Sequence, residues 1–357
     1  MLSGWRALQL MRGVVRPPGR ASHHAQPHAS HSRGWRTRDD RRGHRSPGPL
    51  VKAMLWTAYG PPEVLQLGEL PTPEPKRGQV RIRMHATSVT YSDTFVRGLA
   101  VKPFIRFVAR LILGFRRPAR RPVLGIVVAG EIDRIGVGVT SFRQGDRVFG
   151  MNPFGAGAYA EYLCMKAGKL LVTKPANLTY REAAAIPYGG LLALHFLRAA
   201  GIAPGMRVLI YGASGATGTS AVQLAKHFGA HVTGVCSTRN LELVKSLGAD
   251  AVIDYTTHDF ITMGDRYDLV FAAVGARYHP PPEEACRKVL ARGGRYVSVD
   301  GWNPKMTRER LAELRDLAGS GALRAVIDRC YPLAELVEAH RYVETRRKKG
   351  NVVIDVA

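Results

Sequence analysis

The chain has 357 residues, with 52 Lys and Arg against 28 Asp and Glu, a formal net charge of +24, and 45% hydrophobic residues. Such a composition excludes a wholly disordered, collagen-like or low-complexity chain, and the length suits two or three domains of about 150 residues. No run of about 18 apolar residues occurs that could span a membrane. Cys164, Cys236, Cys286 and Cys330 lie too far apart for a zinc-ligand or redox pair or a disulfide framework, which fits a reducing compartment.

Residues 1–50 hold ten Arg, no Lys and two acids, Asp39 and Asp40, so this segment alone carries +8. It is rich in Gly, Pro, Ser and His and lacks an apolar period after Met11. Too little surface can be buried there to offset chain entropy, and it reads as a disordered basic extension. Leu2, Trp5 and Leu8 beside Arg6 and Arg12 also suit a transit peptide, and the charge suits a nucleic-acid arm. The preferred reading is a dispensable addition. A cytoplasmic location is expected, with an organelle as the alternative if the segment is a targeting signal.

Residues 51–177 show short strand-like runs broken by Gly and Pro, such as Val80-Arg-Ile-Arg-Met84 and 127–132. Gly145-Asp-Arg-Val-Phe-Gly150 reads as a turn followed by a strand. The pattern predicts a mostly β domain of hairpins. Ser92 or Asp93 is a candidate cap for a helical turn at 94–97. Within the β region, 102–121 is a basic, apolar insert. Lys102, Arg106 and Arg110 are four apart, and Phe104, Ile105, Phe107, Val108, Leu111 and Ile112 fill the spaces between them. This predicts a basic amphipathic helix, preferably a lid with its apolar face over a substrate cleft and its Arg in water. The alternative is weak contact with a membrane surface. Both uses suggest a bulky, apolar substrate.

A linker at 174–178 leads to a helical stretch from Tyr180 and then to Gly189-Gly190. His195 lies among Leu191, Leu192, Leu194, Phe196 and Leu197 and reads as a packed helix histidine rather than a catalytic one. Arg207-Val-Leu-Ile-Tyr211 is a buried strand by composition. Gly212, Ala213, Ser214, Gly215, Ala216, Thr217 and Gly218 follow at once, and then Ala221, Val222, Leu224, Ala225 and Phe228 recur at helical spacing. Strand, glycine turn and helix make the phosphate-binding half of a βαβ unit. Gly215 lets the backbone approach a pyrophosphate, Gly218 lets helix pack on strand, and the helix N-terminus favours the anion. Where an NAD site would place Asp or Glu after the second strand, this chain has Cys236-Ser237-Thr238-Arg239. Two hydroxyls and a guanidinium suit a 2′-phosphate, so NADP(H) is favoured. Further strands are predicted at 251–254, 268–274 and 295–299. The whole predicts a Rossmann, doubly wound nucleotide-binding domain over 178–301, and 302–357 returns to the first domain.

Seven motifs then appear in order: Tyr59-Gly-Pro-Pro-Glu-Val-Leu65, Gly145-Asp-Arg-Val148, Gly157-Ala-Tyr-Ala-Glu-Tyr162, Ala183-Ala-Ala-Ile-Pro187, the Gly212–Gly218 turn, Leu247-Gly-Ala-Asp250 and Gly350-Asn-Val-Val-Ile354. On these motifs, residues 51–357 resemble the medium-chain dehydrogenase/reductase superfamily, in its zinc-free quinone oxidoreductase branch. The resemblance implies an α/β protein with a GroES-like catalytic domain, in two chain pieces, closing over NADPH. It implies that Ser237, Arg239 and Tyr255 surround the 2′-phosphate. It also implies that Val274-Gly275 and Ser298-Val299 pass near the ribose and nicotinamide, and that Asn351 lies near the cofactor.

The zinc-dependent relatives carry Cys-His where this chain has Thr90-Tyr91-Ser92-Asp93, and His-Glu near Gly125-Ile126-Val127. Too few ligands are left for a catalytic zinc, and no metal is expected. The chemistry implied is zinc-independent hydride transfer from NADPH to a quinone or an α,β-unsaturated carbonyl, with Tyr91 and Ser92 as candidate donors to the developing oxyanion. The resemblance also predicts a further strand after Val299-Asp300-Gly301, but residues 307–318 leave room for one helix. Relatives use that strand in subunit pairing, so a homodimer is a question the shortening raises. The rival readings are an NAD(P)-dependent alcohol dehydrogenase, an NADPH-binding protein with reduced catalysis, and a nucleic-acid binder, for which no motif is present.

Overall fold

The computed structural model describes residues 48–99, 103–115, 117–118, 122–153, 155–275, 283–301 and 304–356. The basic extension up to residue 47 lies outside them, as do Lys102, Arg116, Arg120 and Arg121 and the side chains of Phe104, Ile105 and Ile112.

The first chain piece is β-rich. Strand β1 (Leu50–Trp56) pairs antiparallel with β2 (Leu65–Pro71). Strand β3 (Gln79–Val89) follows, its alternate residues Val80, Ile82 and Met84 fully buried, as a half-covered sheet demands. Helix α1 (Tyr91–Gly98) starts one residue later, because Thr90 and Asp93 form a reciprocal capping box. The helix is longer than the single turn expected at 94–97, and its N-cap is Thr90 rather than Ser92 or Asp93; Asp93 completes the capping box from the third helical position. Helix α2 (Pro103–Leu113) occupies the insert. Strands β4 (Val127–Ile135), β5 (Arg147–Met151), β6 (Tyr162–Lys166) and β7 (Leu171–Thr173) complete the piece.

Helix α3 (Tyr180–Ala185), capped by Thr179 and Glu182, and helix α4 (Pro187–Ala199), with Pro at its first position, lead out of the β-rich half. Then come β8 (Arg207–Tyr211), α5 (Ala216–His227), β9 (His231–Cys236), α6 (Leu241–Ser246), β10 (Ala251–Asp254), β11 (Tyr267–Ala272), α7 (Glu283–Lys288) and β12 (Leu290–Ser298). Helix α8 (Arg308–Gly319) precedes β13 (Ile327–Pro332), α9 (Leu336–Glu344) and β14 (Asn351–Asp355).

Two main sheets result. Strands β8 to β12 form a parallel sheet in the order β10-β9-β8-β11-β12, with the order reversing direction beside β8. Only parallel strands joined by crossovers give this order, and their near-continuous apolar composition reflects burial on both faces. Val208, Leu209, Ile210, Val270 and Phe271 are fully buried. Each such side chain contributes roughly 1.5–3 kcal/mol of burial free energy. The other sheet runs β13-β14-β3-β4-β5-β7, with β6 also on β3. Strands β13 and β14 therefore return the chain end to the β-rich half, β14 pairing antiparallel with β3.

Among the described residues β12 is one edge of the parallel sheet, opposite β10. Helix α8 alone fills the interval in which a sixth strand was expected to be missing.

The described side chains of the insert divide between two faces. Ala109 and Leu113 of α2 face inward, in one cluster with Trp56, Leu99 and Val123, but Phe107 and Leu111 are more than half exposed. The helix is held by the Tyr59 hydroxyl, which donates to the Gly114 carbonyl at 2.8 Å.

Candidate active site

The glycine turn sits at the carboxyl end of β8, beside the switch point of the sheet, where open α/β sheets bind ligands. Two of its glycines, Gly212 and Gly218, are sterically required. Gly212 has φ +77°, and a Cβ there would lie 2.4 Å from Val274 Cγ1. A Cβ on Gly218 would lie 2.1 Å from the Gly212 carbonyl oxygen, so α5 packs against its own strand only because that atom is missing. Gly215 is the N-cap of α5 and supplies no side-chain cap. The N–H groups of Ala216, Thr217 and Gly218 belong to the first helical turn, which has no carbonyl of its own to bond.

The strand ends around the turn bring in the other candidates. Asn240 Nδ2 bridges Ser214 Oγ at 3.0 Å and Ser237 Oγ at 3.2 Å, tying the turn to the end of β9. Arg239 Nη2 donates to the Arg347 carbonyl at 2.7 Å. Tyr255 is 40% exposed, with its ring 6.3 Å from that of Tyr211. Ala213 is buried. Gly275 lies against Asp300, whose N–H donates to Ser298 Oγ at 3.2 Å, and Val299 N–H donates to the Ala272 carbonyl at 3.0 Å.

Thr238 turns away from the others. Its hydroxyl donates to Asp254 Oδ2 at 2.5 Å, and with Thr256 it holds the Asp254 carboxyl below the usual carboxylate range. Asn351 is beside the turn, but its side-chain amide donates to the Val326 carbonyl at 3.1 Å.

The sequence reading missed the segment just before Asn351. Gly350 N–H donates to the Ser214 carbonyl at 2.8 Å, and Gly350 bridges Gly215. The run Arg346-Arg347-Lys348-Lys349 from the second chain piece therefore lies against the glycine turn and Arg239. Lys348 Nζ donates to the Gly350 carbonyl at 2.6 Å and has no carboxylate within 4.0 Å among the described residues. Burial brings its ammonium down to about 8, against the opposing field of Asp328. A half-buried cation with no direct ion pair is partly desolvated, and the arrangement favours an incoming anionic group.

In the β-rich half, Tyr91 and Ser92 occupy the first turn of α1. Ser92 Oγ lies 3.0 Å from the hydroxyl of Tyr188, which sits in the first turn of α4. This hydroxyl pair joins the β-rich half to the helix that leads into the nucleotide half. Tyr188 was not recognised from sequence. Burial raises its phenol, and the Ser92 hydrogen bond opposes the shift. Tyr91 packs near Phe95, with ring centroids 6.2 Å apart.

Asp93, behind them, is fully buried. Its carboxyl rises to about 6 by desolvation, opposed by hydrogen bonds from the Thr90 hydroxyl and N–H at 2.6 and 2.8 Å. His195 is less enclosed than a packed core histidine. It is half-buried, and its Nδ1 faces Arg310 Nη1 of α8 at 2.7 Å. Burial and the cations Arg310 and Lys305 lower its pKa. Among the described residues no group of three or more His, Cys, Asp or Glu is placed to hold a metal ion.

A β-rich half in two chain pieces, closed by the chain end onto the phosphate turn of a parallel sheet, is the architecture of a two-domain nicotinamide-dependent dehydrogenase or reductase. Residues 76–176 match the alcohol dehydrogenase GroES-like domain, and residues 216–339 match the zinc-binding dehydrogenase family. The chain belongs to the medium-chain dehydrogenase/reductase superfamily, in its quinone oxidoreductase branch. It is 35% identical over 327 residues to 2-methylene-furan-3-one reductase from Solanum lycopersicum, covering 85% of this chain and 79% of that one. It is 31% identical to the chloroplastic NADPH-dependent alkenal/one oxidoreductase of Arabidopsis thaliana, covering 85% and 79%. The solved quinone oxidoreductase from Coxiella burnetii superposes with a TM-score of 0.73 at 29% identity, covering 87% of this chain and all of that one.

Proposed function

We propose that the protein is an NADPH-dependent reductase of quinones and α,β-unsaturated carbonyls. The observation that carries the reading is the phosphate-binding end of the site. The turn is open to an anion, β9 is followed by Ser237 and Arg239 without a ribose-binding acid, and Lys348 is a half-buried cation in no direct ion pair among the described residues, with Asp328 acting on it from farther off. These groups fit a 2′-phosphorylated dinucleotide. The first turn of α5 would take the pyrophosphate, with Lys348 beside it, and Ser237, Arg239 and Tyr255 would take the 2′-phosphate.

Bound NADPH supplies a hydride to the electrophilic carbon. The chain's own groups handle the charge that then appears on the carbonyl oxygen. Ser92 donates a hydrogen bond and then its proton to that oxygen, and the Tyr188 hydroxyl orients Ser92, replaces that proton and takes one back from solvent water. A positioned donor pair of this kind is worth several powers of ten at most in rate. Tyr91, in the same helical turn, would line the pocket.

The test is NADPH oxidation against a panel of quinones, enones and saturated aldehydes. Turnover is expected with the first two classes. Cofactor binding without turnover across the panel would leave a binding protein instead. Activity confined to aldehydes and alcohols would favour an alcohol dehydrogenase. Ser92→Ala should lower kcat about 10- to 100-fold with the Kd for NADPH unchanged. Tyr188→Phe should lower it less, and the double variant should be no worse than Ser92→Ala, because the two hydroxyls act in series.

Lys348 adds a pH dependence. The amine is charged below about 8 and neutral above it. NADPH affinity should therefore weaken as pH rises from 7.5 to 9.5, by about tenfold, the value of one charge-assisted hydrogen bond. Fluorescence titration should show this slope flattened in Lys348→Met.

A further inference from the structure

We infer that the outer face of α2 is a docking surface for a lipid bilayer with anionic headgroups. This goes beyond the reductase reading and does not depend on it. Phe107, Leu111 and Phe115 are 52%, 54% and 57% exposed, three large apolar side chains within nine residues of chain. The rings of Phe107 and Phe115 meet edge to face at 6.3 Å, so they form one patch. The patch cannot turn inward at low cost. The opposite face of the helix already buries Ala109 and Leu113, and the Gly114 carbonyl is held by Tyr59.

The charge around the patch identifies its partner. Between the buried Arg97 and Glu131 the sequence has seven Lys or Arg and no acid. Arg106, on the helix, and Arg117, just beyond it, are exposed. An apolar face flanked by guanidinium groups suits the headgroup–acyl boundary. There the rings enter the hydrocarbon edge while the Arg side chains meet lipid phosphates. A second copy of this chain fits poorly, because a two-fold contact would set this acid-free patch against itself. No described helix is long and apolar enough to cross a membrane, and an 11-residue helix lying in the interface needs no such length. A reductase docked in this way would stand at the phase in which apolar quinones and enones dissolve.

The experiment is co-sedimentation of the full chain with vesicles of phosphatidylcholine alone or with 30% phosphatidylglycerol added. Binding should rise at least tenfold with phosphatidylglycerol and fall in high salt. The triple variant Phe107→Ser, Leu111→Ser, Phe115→Ser should lose at least tenfold of that binding. Its melting temperature and its NADPH oxidation with a water-soluble enone should stay near those of the unaltered protein. A double variant, Arg106→Glu with Arg117→Glu, should also release the protein while keeping the apolar patch.

Four outcomes would overturn the inference. The first is no preference for anionic vesicles, and the second is a triple variant that binds them as well as before, which would assign the binding to charge elsewhere. The third is loss of soluble-enone activity in the triple variant with its melting temperature unchanged, which would place the face over the substrate. The fourth is a change in oligomeric state on gel filtration, which would make it a contact between copies.

Discussion

Arg239→Asp should shift the ratio of NADPH to NADH affinity by about 100- to 1,000-fold toward NADH. The guanidinium stands at the end of β9, where its Nη2 is fixed by the Arg347 carbonyl at 2.7 Å. Neither Cys236, Ser237 nor Thr238 supplies the acid that would hold an unphosphorylated ribose. Removing a charge-assisted hydrogen bond costs about 1.5–3 kcal/mol. Placing a carboxylate beside a phosphate dianion adds a repulsion of similar size, screened by salt. Together these reach about 3–4 kcal/mol, or two to three powers of ten. NADH should lose little, since the new carboxylate can accept hydrogen bonds from the ribose hydroxyls. Losing the contact to Arg347 would loosen the 346–349 segment for both cofactors alike, so the ratio isolates the phosphate. Fluorescence titration with each cofactor measures it. An unchanged ratio would move the 2′-phosphate onto the Arg346–Lys349 run.

The parts of this site legible in sequence are those made by short-range rules. The strand, glycine turn and helix from 207 to 227 were legible because a buried strand, a close helix approach and an uncapped N-terminus each demand particular residues within a dozen positions. That no sixth strand joins this sheet among the described residues could be read by counting, since 307–318 holds only one helix. What escaped depends on segments far apart in the chain. Ser92 and Tyr188 are separated by 96 residues, and Arg239 and Arg347 by 108. No periodicity reports such a meeting. Lys348 looked like one charge in a basic run until the fold half-buried it beside the glycine turn. The insert was legible as a helix but not in its orientation. Its apolar residues nearly encircle it, and only the position of the Trp56 cluster decides which of them face inward. The partner of His195 was not legible for a related reason, because Arg310 comes from a helix more than a hundred residues later.

Arg97→Met should destabilise the β-rich half by about 3 kcal/mol. Arg97 Nε donates to the Gly60 carbonyl at 3.1 Å, Nη1 meets His340 Nδ1 at 2.8 Å, and Nη2 pairs with Glu344 Oε1 at 2.5 Å. Its side chain is 3% exposed, so these three partners, from two distant stretches of chain, clasp α1 to α9. Breaking a buried pair by removing one member costs about 3–5 kcal/mol. The lower figure applies because Glu344 is 40% exposed and can recover water. A change of this size corresponds to roughly 6–12 °C in melting temperature.

The clasp also carries a pH signature. Burial, and then the charge of Arg97, lower the His340 imidazole to about 3, so it accepts through Nδ1 while neutral. Its folded pKa lies below the unfolded value of about 6.5, so its contribution is present above pH 6.5 and is lost as pH falls toward 3. Without Arg97 the imidazole is protonated at higher pH, and that acid-linked loss shrinks. Because burial, the larger cause, remains, the difference is expected nearer the folded pKa: melting curves at pH 7 and pH 4 should differ more for the unaltered protein than for Arg97→Met. A variant equally sensitive to acid would mean that the guanidinium does not govern His340.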